Sequence, residues 1–453
     1  MAAKEEGFKV LMFPFLAHGH ISPFLQLAKQ FSARNLHVYI CSTPVNLSSI
    51  ERKIPEKQCS HIHLVELHLP SSPELPPHFH TTNGLPPYLQ PTLEKLLVLS
   101  RPNFSNLLTT LRPDLLIYDI MQPWAGSEAS LLKIPSVSFI IFGAASVSYL
   151  SHLGLKRGVE FPFPTICLTD FELSMAIKTV ESALDDRKDR IDSENKVSIR
   201  LINSSRAMEG KYMDYLSKLM DCEILPTGAL IYQDPSDTGD IEQDDDEIMK
   251  WLERNDVCSS VLVSFGSEYF LKREDIEEIA HGLELSNVNF IWLLRFPKGE
   301  ETKIADALPE RFLQRVGEKG VIVEKWAPQA KILSSSKIGG FVSHCGWNSL
   351  MESISFRVPI IGMPMQLDQP LNAKLVEELG VGVEVLRDGN GRFRRGQISS
   401  VIKDVVFGNE GEKLRRQIEG QRTHIRSTSR EEIHGVMQKL AELCGKNSFD
   451  VKI

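Results

Sequence analysis

Short β-rich runs alternate with amphipathic segments along this chain, and the alternation begins twice. FKVLMF, LHVYIC, IHLVEL, DLLIYD and VSFIIF are candidate strands of the first half. Between the first two, Phe24, Leu27, Ala28 and Phe31 line one face of a helix expected to open at Ser22-Pro23, with serine as N-cap and proline at the first helical position. Strands that alternate with helices in this way imply a mostly parallel sheet covered on both faces. The pattern collapses between Tyr232 and Asp246, where YQDPSDTGDIEQDDD gathers acids, proline and glycine and reads as an exposed linker. It resumes with SSVLVSFGS, NFIWLLR, GVIVEKW, GGFVSH and VPIIGMP. The expectation is two α/β domains of similar size joined near residue 235, with the cleft between them as the ligand site.

Composition supports that reading and removes several function classes. A chain of 453 residues that is 42% hydrophobic and 24% charged has apolar material for two cores. Its 51 basic and 59 acidic side chains give a net charge of −8, which argues against a nucleic-acid partner. MAAKEEGF carries acids and no apolar h-region, and the weakly polar run from Ile134 to Leu150 is broken by Pro135 and Gly143. No signal peptide, transit peptide or membrane span is therefore expected, and a cytoplasmic location is. The cysteines at 41, 59, 167, 222, 258, 345 and 444 form no CxxC pair, a pattern of reduced thiols rather than a disulfide framework or zinc cage.

The most particular stretch is FVSHCGWNSLME, residues 341–352. An apolar run of strand type, Gly339 to Val342, leads into it, and Leu350, Met351 and Ile354 leave it at helical spacing. In open α/β sheets ligands bind beyond the carboxyl ends of the strands, where helix N-termini present free N–H groups and partial positive charge. At this junction Asn348 and Ser349 are suited either to cap the helix or to bind phosphate oxygens, Gly346 lets the backbone come close, and His344 adds a donor. Familiar signatures are missing. GNGRFRRG at 389–396 has Gln397 and Ile398 where a P-loop needs Lys and Ser/Thr, and no GxGxxG, HExxH or GxSxG occurs. His344-Cys345 has no second pair at metal-ligand spacing.

From Trp326 to Gln369 the chain reads WAPQAKILSSSKIGGFVSHCGWNSLMESISFRVPIIGMPMQLDQ. This block resembles the donor-binding signature of plant family 1 UDP-glycosyltransferases, with WAPQ, HCGWNS, Glu352 and Asp368-Gln369 in register, and the resemblance extends from MFPFLAHGHISPFLQLAKQF through VSFGS to the block. Ser335-Ser336 stand in place of a usual His-Pro, and Arg357 in place of a usual glycine. The resemblance implies a GT-B fold of two Rossmann-like domains. Residues 1–230 would bind the acceptor, 231–247 would form the linker and 248–430 would bind the UDP-sugar, while a C-terminal helix, 431–453, returns to the first domain. By the same similarity Trp326 stacks on uracil, the Ala327 backbone bonds its edge, and Gln329 and Glu352 lie near the ribose. Ser267, His344, Gly346, Asn348 and Ser349 hold the diphosphate, and Trp347, Asp368 and Gln369 the sugar. Gln369 points to UDP-glucose as co-substrate.

Transfer to a hydroxyl needs a base, and histidine is the natural one near neutral pH. His18 and His20 both follow the first strand; the resemblance selects His20, with Asp119, at the end of DLLIYD, to orient the ring and stabilise its cation. Attack on C1 from the face opposite UDP inverts the sugar. N–H groups, His344 and the helix dipole would neutralise the departing diphosphate without a metal. LPPHFHTTNGLPP, LLIYDIMQPWA and VSFGSEYFL resemble the subgroup that adds sugar to sugar, so the expected acceptor is a small-molecule glycoside, contacted by His80, Thr81, Met121 and Phe142. The chain is expected to act as a monomer.

Overall fold

In the computed structural model, residues 7–190, 198–230, 243–299, 302–446 and 449 are described. The chain divides into two compact units, one of Met1–Leu155, Val180–Leu230 and Ser427–Ile453, the other of Lys156–Thr179 and Ile231–Arg426. The first contains strands β1 (Lys9–Phe13), β2 (His37–Ser42), β3 (Ile62–Glu66), β4 (Leu115–Asp119), β5 (Ser136–Ile140), β6 (Ile199–Ile202) and β7 (Glu223–Pro226). All neighbours are parallel, in the order β3-β2-β1-β4-β5-β6-β7.

Val10 to Phe13 of β1 and all five residues of β4 are buried, because a central parallel strand is covered on both faces. On one face Val10, Met12, Ile117 and Phe139 pack with Phe24, Leu27 and Phe31. Ile433, Val436, Met437 and Leu440 of the long Asn409–Leu443 helix join the same cluster. On the other face Leu11, Phe13, Leu116 and Tyr118 meet Phe104 and Trp124.

The second unit contains β8 (Ser260–Ser264), β9 (Asn289–Leu293), β10 (Gly320–Val323), β11 (Ile338–Ser343), β12 (Ile360–Gly362) and β13 (Gly382–Glu384), parallel in the order β10-β9-β8-β11-β12-β13. Each sheet reverses its winding once, between β1 and β4 in the first unit and between β8 and β11 in the second. These are the switch points at whose carboxyl ends α/β sheets bind ligands.

Three details differ from the sequence reading. The first helix starts at His18 with Ala17 as N-cap, five residues before the expected opening, and Pro23 lies inside it. The Ala17 carbonyl takes the N–H groups of His20 and Ile21, each at 2.9 Å, so the helix is under way before Pro23, which forfeits only the bond to the Gly19 carbonyl. Residues 231–242 of the expected linker lie outside the described residues, and Gln243–Glu253 is a helix. β6, β7 and β13 were not foreseen. They are three or four residues long, too short for a periodicity to register.

Candidate active site

At the first switch point β1 and β4 lie side by side, Phe13 opposite Tyr118. Leaving β1, the chain passes Phe15 and enters the His18–Ser32 helix, which puts His20 in the first turn beside the end of β4. His20 Nδ1 lies 2.7 Å from Asp119 Oδ2; the carboxylate is fully buried and the imidazole side chain 12% exposed. The Phe15 N–H donates to the same oxygen at 3.3 Å and the Met121 N–H to Oδ1 at 3.0 Å. A carboxylate gripped by two backbone donors cannot swing away, so it dictates the ring's orientation. It also selects the Nδ1–H tautomer, which makes Nε2 the basic nitrogen. Phe15 and Phe142 stand edge-on to the imidazole at 5.3 and 5.5 Å and limit its rotation.

At the second switch point β11 ends at Ser343. His344 follows, then Cys345 in the left-handed region at φ 63°, then Gly346 as N-cap of the Trp347–Phe356 helix. The cap residue is a glycine with no side chain to bond the first helical amides, and Asn348 and Ser349 lie in that first turn, where N–H groups point at an approaching anion. Two glycines clasp the His344 ring. A Cβ at Gly346 would lie 2.6 Å from its Nε2, and one at Gly266, where φ is +82°, 2.9 Å from the same atom. Burial pushes the His344 pKa down to about 4 despite a hydrogen bond to the Ser264 backbone, so the imidazole is neutral at physiological pH. Its Nδ1 is buried with no hydrogen-bond partner among the described residues, an unmet group of the kind a ligand or water satisfies.

The remaining expected donor residues collect at the same end of this sheet. Ser267 follows β8, Trp326 to Gln329 follow β10, and Asp368 and Gln369 follow β12. Trp326 is 40% exposed, a large share for an indole, whereas Ala327 and Trp347 are buried. Gln329 Nε2 donates to Glu352 Oε2 at 2.6 Å, pairing the two residues assigned to the ribose. Gln369 Oε1 accepts the N–H groups of Met365 and Gln366, both at 3.0 Å, which fixes its amide with the NH₂ as the donor end. Asn372, not singled out from sequence, ties the region together: its Nδ2 donates to the Cys345 carbonyl at 2.9 Å and to Asp368 Oδ2 at 2.8 Å. Its only signal was the i, i+4 spacing from Asp368 on a helix.

Of the four residues assigned to the acceptor, Phe142 lies against the His20 ring and Met121 is 44% exposed beside Asp119. His80 and Thr81 are buried and occupied. The His80 ring hydrogen-bonds the Leu75 carbonyl at 3.1 Å, its own carbonyl accepts Thr43 Oγ1 at 2.7 Å, and Thr81 Oγ1 accepts the Asn83 N–H. Burial holds the His80 imidazole below its ordinary pKa. These two residues brace the loop. Phe15, which both positions Asp119 and walls His20, was missed within MFPFLAHGH because it reads as one more apolar residue. Among the described residues no group of three or more His, Cys, Asp or Glu is placed to hold a metal, and no helix is long and apolar enough to cross a membrane.

Residues 245–403 match the family model described as UDP-glucoronosyl and UDP-glucosyl transferase, and residues 6–224 match the one described as Glycosyltransferase, N-terminal domain. The Beta-D-glucosyl crocetin beta-1,6-glucosyltransferase of Gardenia jasminoides is 48% identical over 95% of this chain and 98% of its own length. A Mogroside IIIx synthase of Siraitia grosvenorii is 47% identical over 98% of this chain and 95% of its own. A solved UGT transferase from Siraitia grosvenorii in complex with UDP is 26% identical, with a TM-score of 0.76 over 96% of this chain and 99% of that one. Such agreement along nearly the whole length, on a frame of two parallel sheets, leaves one conclusion: the chain belongs to the plant family 1 UDP-glycosyltransferases and is an enzyme of the GT-B fold that uses a UDP-sugar donor.

Proposed function

We propose that this enzyme moves glucose from UDP-glucose, with inversion, onto a sugar hydroxyl of a small-molecule glycoside. The observation that carries the mechanism is the 2.7 Å pair of His20 and Asp119. His20 Nε2 takes the proton of the acceptor hydroxyl as its oxygen attacks C1 of the glucose; the C1–O bond to UDP breaks, UDP departs, and an α-linked donor yields a β-glycoside. Asp119 offsets the imidazolium charge as it forms. The charge on the departing diphosphate falls to Ser267, His344, Asn348, Ser349 and the amides that open the Trp347–Phe356 helix, a set of donors that works without a metal. Asp368 and the oriented amide of Gln369 are assigned to the glucose hydroxyls, with Trp326, Ala327, Gln329 and Glu352 on the nucleoside.

The glycoside acceptor is supported by the Gardenia relative, whose name specifies glucosyl transfer onto an already glucosylated crocetin. Met121 and Phe142 are the candidate contacts for its apolar part; His80 and Thr81 shape the loop from behind. The enzyme is read as a cytoplasmic monomer, with all seven cysteines as free thiols. The test is a panel of flavonoid, terpenoid and lignan monoglucosides beside their parent aglycones, assayed in EDTA with UDP-glucose and UDP-galactose in competition, the product linkage read by NMR. The expected result is faster turnover of the monoglucosides, a new sugar–sugar bond and preference for UDP-glucose. A product glucosylated only on the aglycone, from the better substrate, overturns the acceptor reading; EDTA inhibition reversed by magnesium overturns the metal-free one.

A further inference from the structure

We propose that Arg295 is a donor-binding residue whose guanidinium pairs with the α-phosphate of the UDP-sugar. β9 ends at Leu293, which lies opposite Ser264 of β8 on one side and Val323 of β10 on the other. Arg295 follows two residues later, Leu294 still bonding the Val323 carbonyl at 3.1 Å. It therefore leaves the sheet between two loops: the one through Ser267, assigned to the diphosphate, and the one through Trp326 and Ala327, assigned to uracil. The alternation of the strand agrees. Ile291 and Leu293 pack in the cluster that contains Ala327, Ile332 and Leu333, whereas Trp292 and Leu294 pack on the opposite face. Continued for two residues past β9, that alternation puts Arg295 on the same face as Ile291 and Leu293, the side of the uracil loop.

What makes the residue unusual is its lack of a partner. Arg295 is partly buried, and among the described residues it makes no hydrogen bond, ion pair or ring contact. Burial lowers its pKa. Other partly enclosed arginines of this unit are occupied. Arg387 bonds the Gly391 and Pro364 carbonyls and covers Phe393, and Arg395 pairs with Glu278. A partly buried guanidinium gains from a counter-charge, and a phosphate held between the flanking loops supplies that charge with matching fork geometry. Between a loop for the base and a loop for the diphosphate, the anion in reach is the phosphate joined to the ribose.

The inference rests on the assignment of the β8 and β10 loops to the donor, and the test separates the two. Calorimetric titration with UDP, UMP and uridine is run on the wild type, Arg295→Gln, Arg295→Lys and, as a control on the loops, Trp326→Ala. Arg295→Gln is expected to weaken UDP and UMP about 10- to 100-fold, the loss typical of one charge-assisted pair, and to leave uridine within about twofold. Arg295→Lys keeps the charge without the fork and is expected to fall between; it carries the same comparison if the Gln variant does not fold. Trp326→Ala is expected to weaken all three ligands, and failure there refutes the loop assignment rather than the role of Arg295. Unchanged UDP affinity in Arg295→Gln, with or without a lower Tm, overturns the proposal by making the residue structural. An equal loss for uridine overturns it by placing the contact on the nucleoside.

Discussion

His20 and Arg357 show how unequal single residues are in this fold. At His20 the proposed chemistry depends on one nitrogen, while the other ring nitrogen is held by Asp119. His20→Ala is expected to lower kcat about 10² to 10⁴-fold, the usual worth of general-base action, while UDP affinity measured by calorimetry stays unchanged. Near-normal turnover in that variant removes His20 from the mechanism. Arg357 shows the opposite case, a residue that burdens the fold. It caps the Trp347–Phe356 helix at φ 62°, ψ 33°, a left-handed conformation that costs a side chain about 1 kcal/mol more than it costs glycine. Its compensation is a 3.5 Å contact with Glu419 between two exposed side chains, which contributes little. Arg357→Gly is expected to raise stability by roughly 1 kcal/mol in urea titrations with activity intact; a lower midpoint would show that the Glu419 contact matters more than the backbone.

Among elements, the junction of β11 with the Trp347–Phe356 helix concentrates the cost of function. Cys345 holds a left-handed conformation, His344 is enclosed by two glycines, and the helix is opened by a glycine rather than a capping side chain. Asn372 and the Ser343 hydroxyl, which bond the Cys345 carbonyl and N–H, hold the turn in place. The junction also makes stability depend on pH. The His344 pKa is about 4 in the fold against an ordinary 6.5, so between these values the unfolded chain binds a proton that the folded one refuses. Stability therefore falls as pH drops from 6.5 to 4, by at most about 3 kcal/mol and by less to the extent that water reaches the ring. Urea midpoints at pH 7.5 and 4.5 are expected to differ more in the wild type than in His344→Gln. An equal difference in both proteins would place the acid sensitivity elsewhere.

For the whole molecule, the long C-terminal helix closes the core of the first unit. It begins among the residues of the second unit and ends among those of the first, where Ile433, Val436, Met437, Leu440 and Ala441 are buried in the core beneath the β-sheet. At roughly 1.5–3 kcal/mol for each large side chain, that burial is comparable to the whole stability of a domain. Leu440→Ala is expected to cost about 2–5 kcal/mol, read as a lower Tm for the first unit with UDP binding at the second preserved. Removal of residues 427–453 is expected to leave the first unit unfolded by near-UV circular dichroism. A truncated chain with native signal would show that the core closes without them.

Much of this was open to reading from residues alone, because strand and helix are written in spacings of two to four residues and the parallel α/β class follows from their alternation. The longer strands, the strand-to-helix junction at His344 and the family signature in the Trp326–Gln369 block were legible for that reason: each is a short, contiguous pattern. Other features were decided only when distant segments met. His20 and Asp119 are 99 positions apart, and no spacing says that β1 and β4 are neighbours. That His80 is spent on the Leu75 carbonyl, that Asn372 holds the Cys345 turn, and that Arg295 is left without a partner depend on which groups pack beside them. Local periodicity encodes which face of an element is apolar; only tertiary packing determines which buried polar groups find partners, and an unpaired one is what a ligand can satisfy.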